Sequence, residues 1–115
     1  MAKILVVEDD SQVRDYLRDM LEWLEHEVIE ASNGKEALEI LTDGVALVIT
    51  DIHMPVMGGL EFIRRLKSSH PKLPAIAMSG ELDRGDALFA GATLFLSKPL
   101  RIQGILAATT RALTP

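Results

Sequence analysis

The residues able to do chemistry stand at a few punctuated points of the chain. The stretch from Val48 to Gly59 reads V-I-T-D-I-H-M-P-V-M-G-G, and it places Asp51 directly after the uncharged run Val45-Ala46-Leu47-Val48-Ile49. Near the start, Ile4-Leu5-Val6-Val7 runs into three acids, Glu8-Asp9-Asp10. Ser79 closes Ala75-Ile76-Ala77-Met78, and Ser97-Lys98-Pro99 follows Thr93 to Leu96. Each apolar run has the length and composition of a buried strand, so each of these polar residues falls at a strand's carboxyl end. In open parallel sheets, ligands bind beyond those ends. Three carboxylates (Glu8, Asp9, Asp51) meeting on one rim repel one another and require a cation or raised pKa values. A hard divalent ion such as Mg²⁺ accepts a few carboxylates and keeps several waters. One carboxylate can then attack phosphorus to give an aspartyl phosphate. The metal, the Lys98 ammonium and the Ser79 hydroxyl would spread the charge on the phosphoryl oxygens. Taken singly, Asp51 is also a turn-capping residue, Glu8 and Asp9 helix-cap acids, Ser79 a turn serine and Lys98 a solvated lysine. Their joint placement at successive strand ends points to the chemistry.

The elements that must position these groups follow from periodicity. Lys3 to Val7 reads as a strand. A helix is predicted from about Ser11 to Glu25, with Val13, Tyr16, Leu17, Met20, Leu21 and Leu24 at helical spacing and Trp23 at the margin. Asp10 or Ser11 can cap it. Glu27 to Ala31 is a weak strand. Asn33 with Glu36 has capping-box spacing and starts a second helix, which Asp43-Gly44 stops. The strand leading to Asp51 is third. Leu60, Phe62, Ile63 and Leu66 mark a third helix, closed by His70-Pro71. Ala75 to Met78 is the fourth strand, Asp83 to Ala90 a short helix weakened by Gly85, and Thr93 to Leu96 the fifth strand. Pro99 suits the first turn of a last helix carrying Leu100, Ile102, Ile105, Leu106 and Leu113. Five strand–helix units with short connections predict a doubly wound parallel sheet with helices on both faces.

Composition narrows the function. The chain has 115 residues, a formal net charge of −5 and no cysteine. One domain, residues 1–115 with no attached effector, is expected. The charge argues against nucleic acid and anionic membranes as partners, and the missing cysteine removes disulfides and thiolate sites. No apolar stretch has the length of a signal peptide core or a membrane span, which is compatible with a cytoplasmic protein.

Ile4-Leu5-Val6-Val7-Glu8-Asp9-Asp10, Asp51-Ile52-His53-Met54-Pro55-Val56-Met57-Gly58-Gly59, Ser79, and Gly91-Ala92 leading to Ser97-Lys98-Pro99 resemble the receiver domain of two-component response regulators. The resemblance covers the whole chain in order. It implies a flavodoxin-like five-stranded sheet of order 2-1-3-4-5. It implies that Asp51 accepts a phosphoryl group from a phosphohistidine of a sensor histidine kinase or phosphotransfer protein, and that the domain signals to a downstream protein, as a monomer or weak dimer. Mg²⁺ would be held by Asp9, Asp51 and the backbone carbonyl of His53, with Glu8 acting through water. Ser79 takes the place of the switch hydroxyl, Phe95 that of the switch aromatic and Lys98 that of the phosphate-binding lysine. The peptide bond before Pro99 is expected to be cis, which proline permits at low cost. On this reading the chain is a phosphoacceptor signalling domain rather than an enzyme, although it would catalyse its own phosphorylation and dephosphorylation.

Departures from the family pattern are Glu8 for Asp, Ser79 for Thr, Phe95 for Tyr and a shortened stretch from Ser79 to Lys98. That stretch contains Gly80–Ala90, expected to be the most mobile part, anchored only by Leu82, Leu88 and Phe89. Phe95 has no phenol to hold outside, so an inward-turned ring is expected before any phosphorylation. His53 is expected to line the rim through its side chain, and His26 and His70 to be solvent-exposed caps. Three other functions fit less well. An aspartate-nucleophile phosphohydrolase needs a second acid two residues past the nucleophile, where His53 stands. A flavodoxin-like cofactor site needs a phosphate-cradling loop, where Glu8-Asp9-Asp10 would repel phosphate. A pseudo-receiver would lack the five groups that are all present.

Overall fold

A computed structural model describes residues 1–80 and 83–114. The expected role of Leu82 lies outside the described residues. The elements alternate as β1 (Lys3–Val7), α1 (Ser11–Trp23), β2 (Glu27–Ala31), α2 (Gly34–Ile40), β3 (Leu47–Asp51), α3 (Gly59–Ser69), β4 (Ala75–Ser79), α4 (Arg84–Ala90), β5 (Leu94–Ser97) and α5 (Ile102–Leu113). The strands form one parallel sheet of order β2-β1-β3-β4-β5, as the resemblance implied.

Side-chain alternation along the strands divides the core. Ile4 and Val6 point with Leu47 and Ile49 of β3 towards Leu17 and Leu21 of α1 and Ile105 of α5. Leu5, Val7 and Val48 point the other way, onto Ala37 of α2 and Phe62 and Leu66 of α3. Because both faces are covered, successive residues of β1 and β3 are apolar on both sides, which is why Ile4 to Val7 and Leu47 to Ile49 read as unbroken apolar runs. Register then fixes the rim: Val7 lies opposite Thr50, Asp51 opposite Met78, and Ser79 opposite Ser97. Among the described residues no helix is long and apolar enough to cross a membrane.

Several element ends differ from expectation. α1 stops at Trp23 rather than Glu25. The N–H of Glu25 bonds the Glu22 carbonyl at 2.9 Å and that of His26 the Leu21 carbonyl at 3.0 Å. That closure puts Glu25 at φ 68°, a left-handed position usually filled by glycine, so the sequence carries no stop signal there. α2 ends at Ile40 because Leu41 turns extended, φ −62° and ψ 130°, ahead of Asp43-Gly44. Pro99 is not in α5. The Lys98–Pro99 bond is cis, Arg101 is extended at φ −118° and ψ 144°, and the helix begins at Ile102. Val45 and Ala46 precede β3 instead of belonging to it. In α4 the anchors are Ala87 and Ala90, while Leu88 and Phe89 stand 44% and 93% exposed.

Gly59 is the most tightly enclosed of the glycines. A Cβ built there would stand 2.1 Å from the Asp51 carbonyl oxygen and 2.8 Å from the Ile52 Cα. Both are backbone atoms of the strand end that carries the site, and they cannot swing aside. Gly85 is the opposite case, with nothing within 4 Å of its Cβ position. In denaturant melts, Gly59→Ala should therefore lose about 1–3 kcal/mol of stability, as overpacking against fixed backbone does. Gly85→Ala should gain up to about 1 kcal/mol through helix propensity. Equal effects of the two changes would show that the contact at Gly59 is not tight.

Candidate functional site

The three acids after β1 have three different destinations. Glu8 turns inward and is 1% exposed; its Oε2 accepts the Asp10 N–H at 3.1 Å, and its own N–H bonds the Ala31 carbonyl at 3.0 Å. Asp9 faces solvent. Asp10 is the cap of α1, its Oδ1 accepting from the Gln12 N–H at 2.9 Å and more weakly from Val13 at 3.5 Å. Arg14, one turn into that helix, donates to the Glu8 carbonyl at 2.6 Å. Capping thus holds the β1–α1 junction in the shape that presents Glu8 and Asp9 to the rim.

Asp51 arrives from the centre of the sheet and is 5% exposed. One carboxylate oxygen from each of Glu8, Asp9 and Asp51 lies within 4.8 Å of the others. Lys98, delivered by the end of β5, donates from Nζ to Glu8 Oε1 at 2.8 Å and stands 3.1 Å from Asp51 Oδ1. Three ionised carboxylates and one ammonium leave a local charge of two negatives, the deficit that one divalent cation would cancel. All the candidate side-chain ligand atoms are hard oxygens, as Mg²⁺ prefers.

The electrostatics follow from this crowding. Burial pushes the Asp51 carboxyl above its usual range, against the pull of the Lys98 charge and hydrogen bond, with Asp9 adding to the rise. Burial likewise raises Glu8, opposed by its bonds to Lys98 and the Asp10 N–H, and the Asp51 charge adds to the rise. Burial works against the charge of Lys98, but the Glu8 bond and the two carboxylates outweigh it and hold its pKa above the ordinary lysine value.

The other two residues expected at the site are nearby but differently engaged. Ser79, at the end of β4, is 1% exposed, and its hydroxyl donates to Asp83 Oδ2 at 2.6 Å. Phe95 is half-buried and packs against the cluster of Ile52, Ile63, Ala77, Ala87, Ala90 and Ala92. The Arg84 guanidinium lies 5.2 Å from its ring centroid. The ring is thus already seated among apolar side chains. His53 does not simply line the rim: its Nε2 is 2.8 Å from Asp83 Oδ2. His26 is not an exposed cap either. It is half-buried, and its Nδ1 accepts the Ala2 N–H at 3.0 Å; burial, then the terminal ammonium, lowers its pKa. His70 is also half-buried, its Nδ1 2.8 Å from the Ser69 hydroxyl. Sequence reasoning missed Asp83 and Arg84. The only signal for Asp83 was its place before a helix, which suggests a cap rather than a partner for Ser79.

The raised carboxyls have a consequence for stability. Glu8 and Asp51 bind their protons more tightly folded than unfolded. Their contribution is therefore best at pH values below the ordinary carboxylate range and is lost as pH rises through the raised folded pKa. Metal-free Asp51→Asn should melt higher than the parent at neutral pH, by on the order of 1 kcal/mol. The gap should close as the pH is lowered and Asp51 gains its proton. Thermal melts across that pH range check this; a gap that is constant or reversed counts against it.

Comparison with known proteins agrees with this geometry. The response regulator receiver domain family matches residues 4–110. The chain is 39% identical over 99 residues to the transcriptional regulatory protein YrkP of Bacillus subtilis, covering 84% of this chain and 43% of that one. It is 35% identical over 109 residues to the transcriptional regulatory protein CpxR of Escherichia coli K12, covering 93% and 47%. The crystal structure of a response regulator receiver domain protein from Clostridium thermocellum superposes with a TM-score of 0.91 at 34% identity, over 98% of this chain and 94% of that one. The chain thus spans less than half the length of those two curated relatives. Their role in transcription overturns the exclusion of nucleic acid as a partner. The net charge of −5 describes these 115 residues alone and says nothing of what a longer regulator touches elsewhere. Matched along nearly its whole length, and with the acids, hydroxyl and lysine brought to one rim, the chain belongs to the response regulator receiver domain family.

Proposed function

We propose that Asp51 is a phosphoacceptor, charged by a phosphohistidine donor in a Mg²⁺-dependent reaction. The observation that carries the reading is one nearly buried carboxylate at the end of the central strand, 3.1 Å from an ammonium and within 4.8 Å of two further acids. In the transfer, an Asp51 Oδ forms a bond to phosphorus as the P–N bond to the donor imidazole breaks. The bonding pair returns to the imidazole nitrogen, which takes up a proton. Phosphoryl transfer asks for positioning and charge stabilisation more than covalent chemistry, and this rim is built for both.

Asp9 and Asp51, the His53 backbone carbonyl and, through water, Glu8 would hold the ion. A bound Mg²⁺ supplies positive charge for the phosphoryl oxygens and relieves the carboxylate repulsion. The chain's own residues do the rest. Sheet register and the close approach at Gly59 fix Asp51. Lys98 stands ready to leave a carboxylate and pair with a phosphoryl oxygen, where a second negative charge rewards it. Burial keeps Asp51 weakly hydrated and so less shielded as a nucleophile. Ser79, at the end of the neighbouring strand, would supply a hydroxyl donor. Phe95, on the next strand, is already packed among apolar side chains.

Incubation with a small acyl phosphate and Mg²⁺, followed by intact mass, should show one added phosphoryl group on the parent chain. Asp51→Asn and Mg²⁺-free samples should show none. Lys98→Met should label at least tenfold more slowly, given that removing one preorganised charge stabiliser typically costs a factor of about 10²–10³. Equal labelling of parent and Asp51→Asn would refute the assignment.

A further inference from the structure

We propose that Asp83 is a positioning residue: its carboxylate holds the Ser79 hydroxyl away from Asp51 in the resting protein, and capture of a phosphoryl group requires that hydroxyl to change partners. The proposal rests on Asp51 being the phosphoacceptor, and it adds a competitor for the Ser79 hydroxyl.

Three observations carry it. The Ser79 Oγ to Asp83 Oδ2 distance is 2.6 Å, the length of a charge-assisted hydrogen bond. The carboxylate has no proton to give, so the serine must be the donor. A hydroxyl has a single proton, and while Asp83 receives it a phosphoryl oxygen on Asp51 cannot. Second, Asp83 immediately precedes α4, where an Asp ordinarily turns its side chain onto the first free N–H groups. It makes no such capping bond. The carboxylate has turned away from its own helix. Third, that orientation is fixed from a second direction. Nε2 of His53, from the loop after β3, meets the same Oδ2 at 2.8 Å, and the Asp83 side chain is 16% exposed. One oxygen therefore gathers the serine at the end of β4, the histidine two residues past Asp51 and the residue that leads into α4.

The device couples site and surface. Release of Ser79 removes a short hydrogen bond between the end of β4 and the residue that leads into α4. That helix carries Phe89, 93% exposed, on its outer side, and Arg84 lies over the Phe95 ring. A change of partner at Ser79 is thus felt first at the base of the helix that presents this aromatic. The effect biases an existing equilibrium by weakening one of its two states.

Beryllofluoride, which bonds a carboxylate as a phosphoryl mimic, provides the test. It is titrated with Mg²⁺ into the 115-residue chain and followed by amide NMR. Removing the competing acceptor in Asp83→Ala should tighten half-saturation by roughly ten- to a hundredfold, the range expected for loss of one hydrogen bond to a charged group. Asp83→Asn keeps the shape with a weaker acceptor and should shift in the same direction by less. In a Ser79→Ala background, Asp83→Ala should change nothing, because the hydroxyl under competition is gone. That coupling separates positioning from a general loosening of α4, which would act with or without Ser79. Unchanged or weaker binding in both Asp83 variants, or an equal shift in the Ser79→Ala background, overturns the proposal while leaving the phosphoacceptor reading intact. Absence of binding to the parent chain, or undiminished binding to Asp51→Asn, overturns both.

Discussion

Every feature of the rim answers to one constraint: carboxylates that repel one another are held together by the strands that deliver them. The pair formed by Lys98 with Glu8 and Asp51, at 2.8 and 3.1 Å, is the only compensation among the described side chains. It is incomplete, since it offsets one charge of three. A pair this deeply placed gains little net stability, because desolvation consumes most of the attraction. It leaves a site that is electrostatically short of positive charge, where a divalent cation would gain binding energy and a phosphoryl group would find an ammonium already positioned.

The fold holds that constraint rigidly. β1, β3 and β4 are packed on both faces, so their ends cannot drift apart to relieve repulsion. α3 begins hard against the backbone of Asp51 and Ile52, while the Asp10 cap fixes the approach from β1. Around that rigid rim, Lys98 is held by ion pairs to Glu8 and Asp51, and Asp83 by its contacts with Ser79 and His53, rather than by the packed core. Rigid delivery of the acids, with partners held only by polar contacts, is the arrangement the proposed switch would need.

Much of this was legible in the sequence, for a physical reason. A parallel sheet covered on both faces writes itself as short apolar runs, and the polar residue that ends each run is the residue at the rim. Glu8, Asp51, Ser79 and Lys98 each end such a run and stand at the strand ends. The ends of helices were less legible. Glu25 takes a left-handed position without being glycine, Leu41 leaves its helix early, and Pro99 stands outside the helix it was expected to open. Backbone hydrogen bonding decides each of these, and no side-chain pattern announces it. Asp83 was hidden for another reason: its type and position match a helix cap, and only coordinates show the carboxylate turned towards Ser79 and His53. The exclusion of nucleic acid failed because the net charge of these 115 residues bears on less than half the length of the transcriptional regulators they match.

The central claim is that the acidic rim is a divalent-cation site, completed by charge rather than by shape. Calorimetric titration of Mg²⁺ into the metal-free chain and into its Asp9→Asn and Asp51→Asn variants tests it most directly. The account predicts a single saturable site in the parent chain, weakened severalfold by Asp9→Asn and abolished by Asp51→Asn, since each variant removes a hard oxygen ligand and part of the charge deficit. A parent chain that takes up no Mg²⁺, or variants that bind it as the parent does, would contradict it.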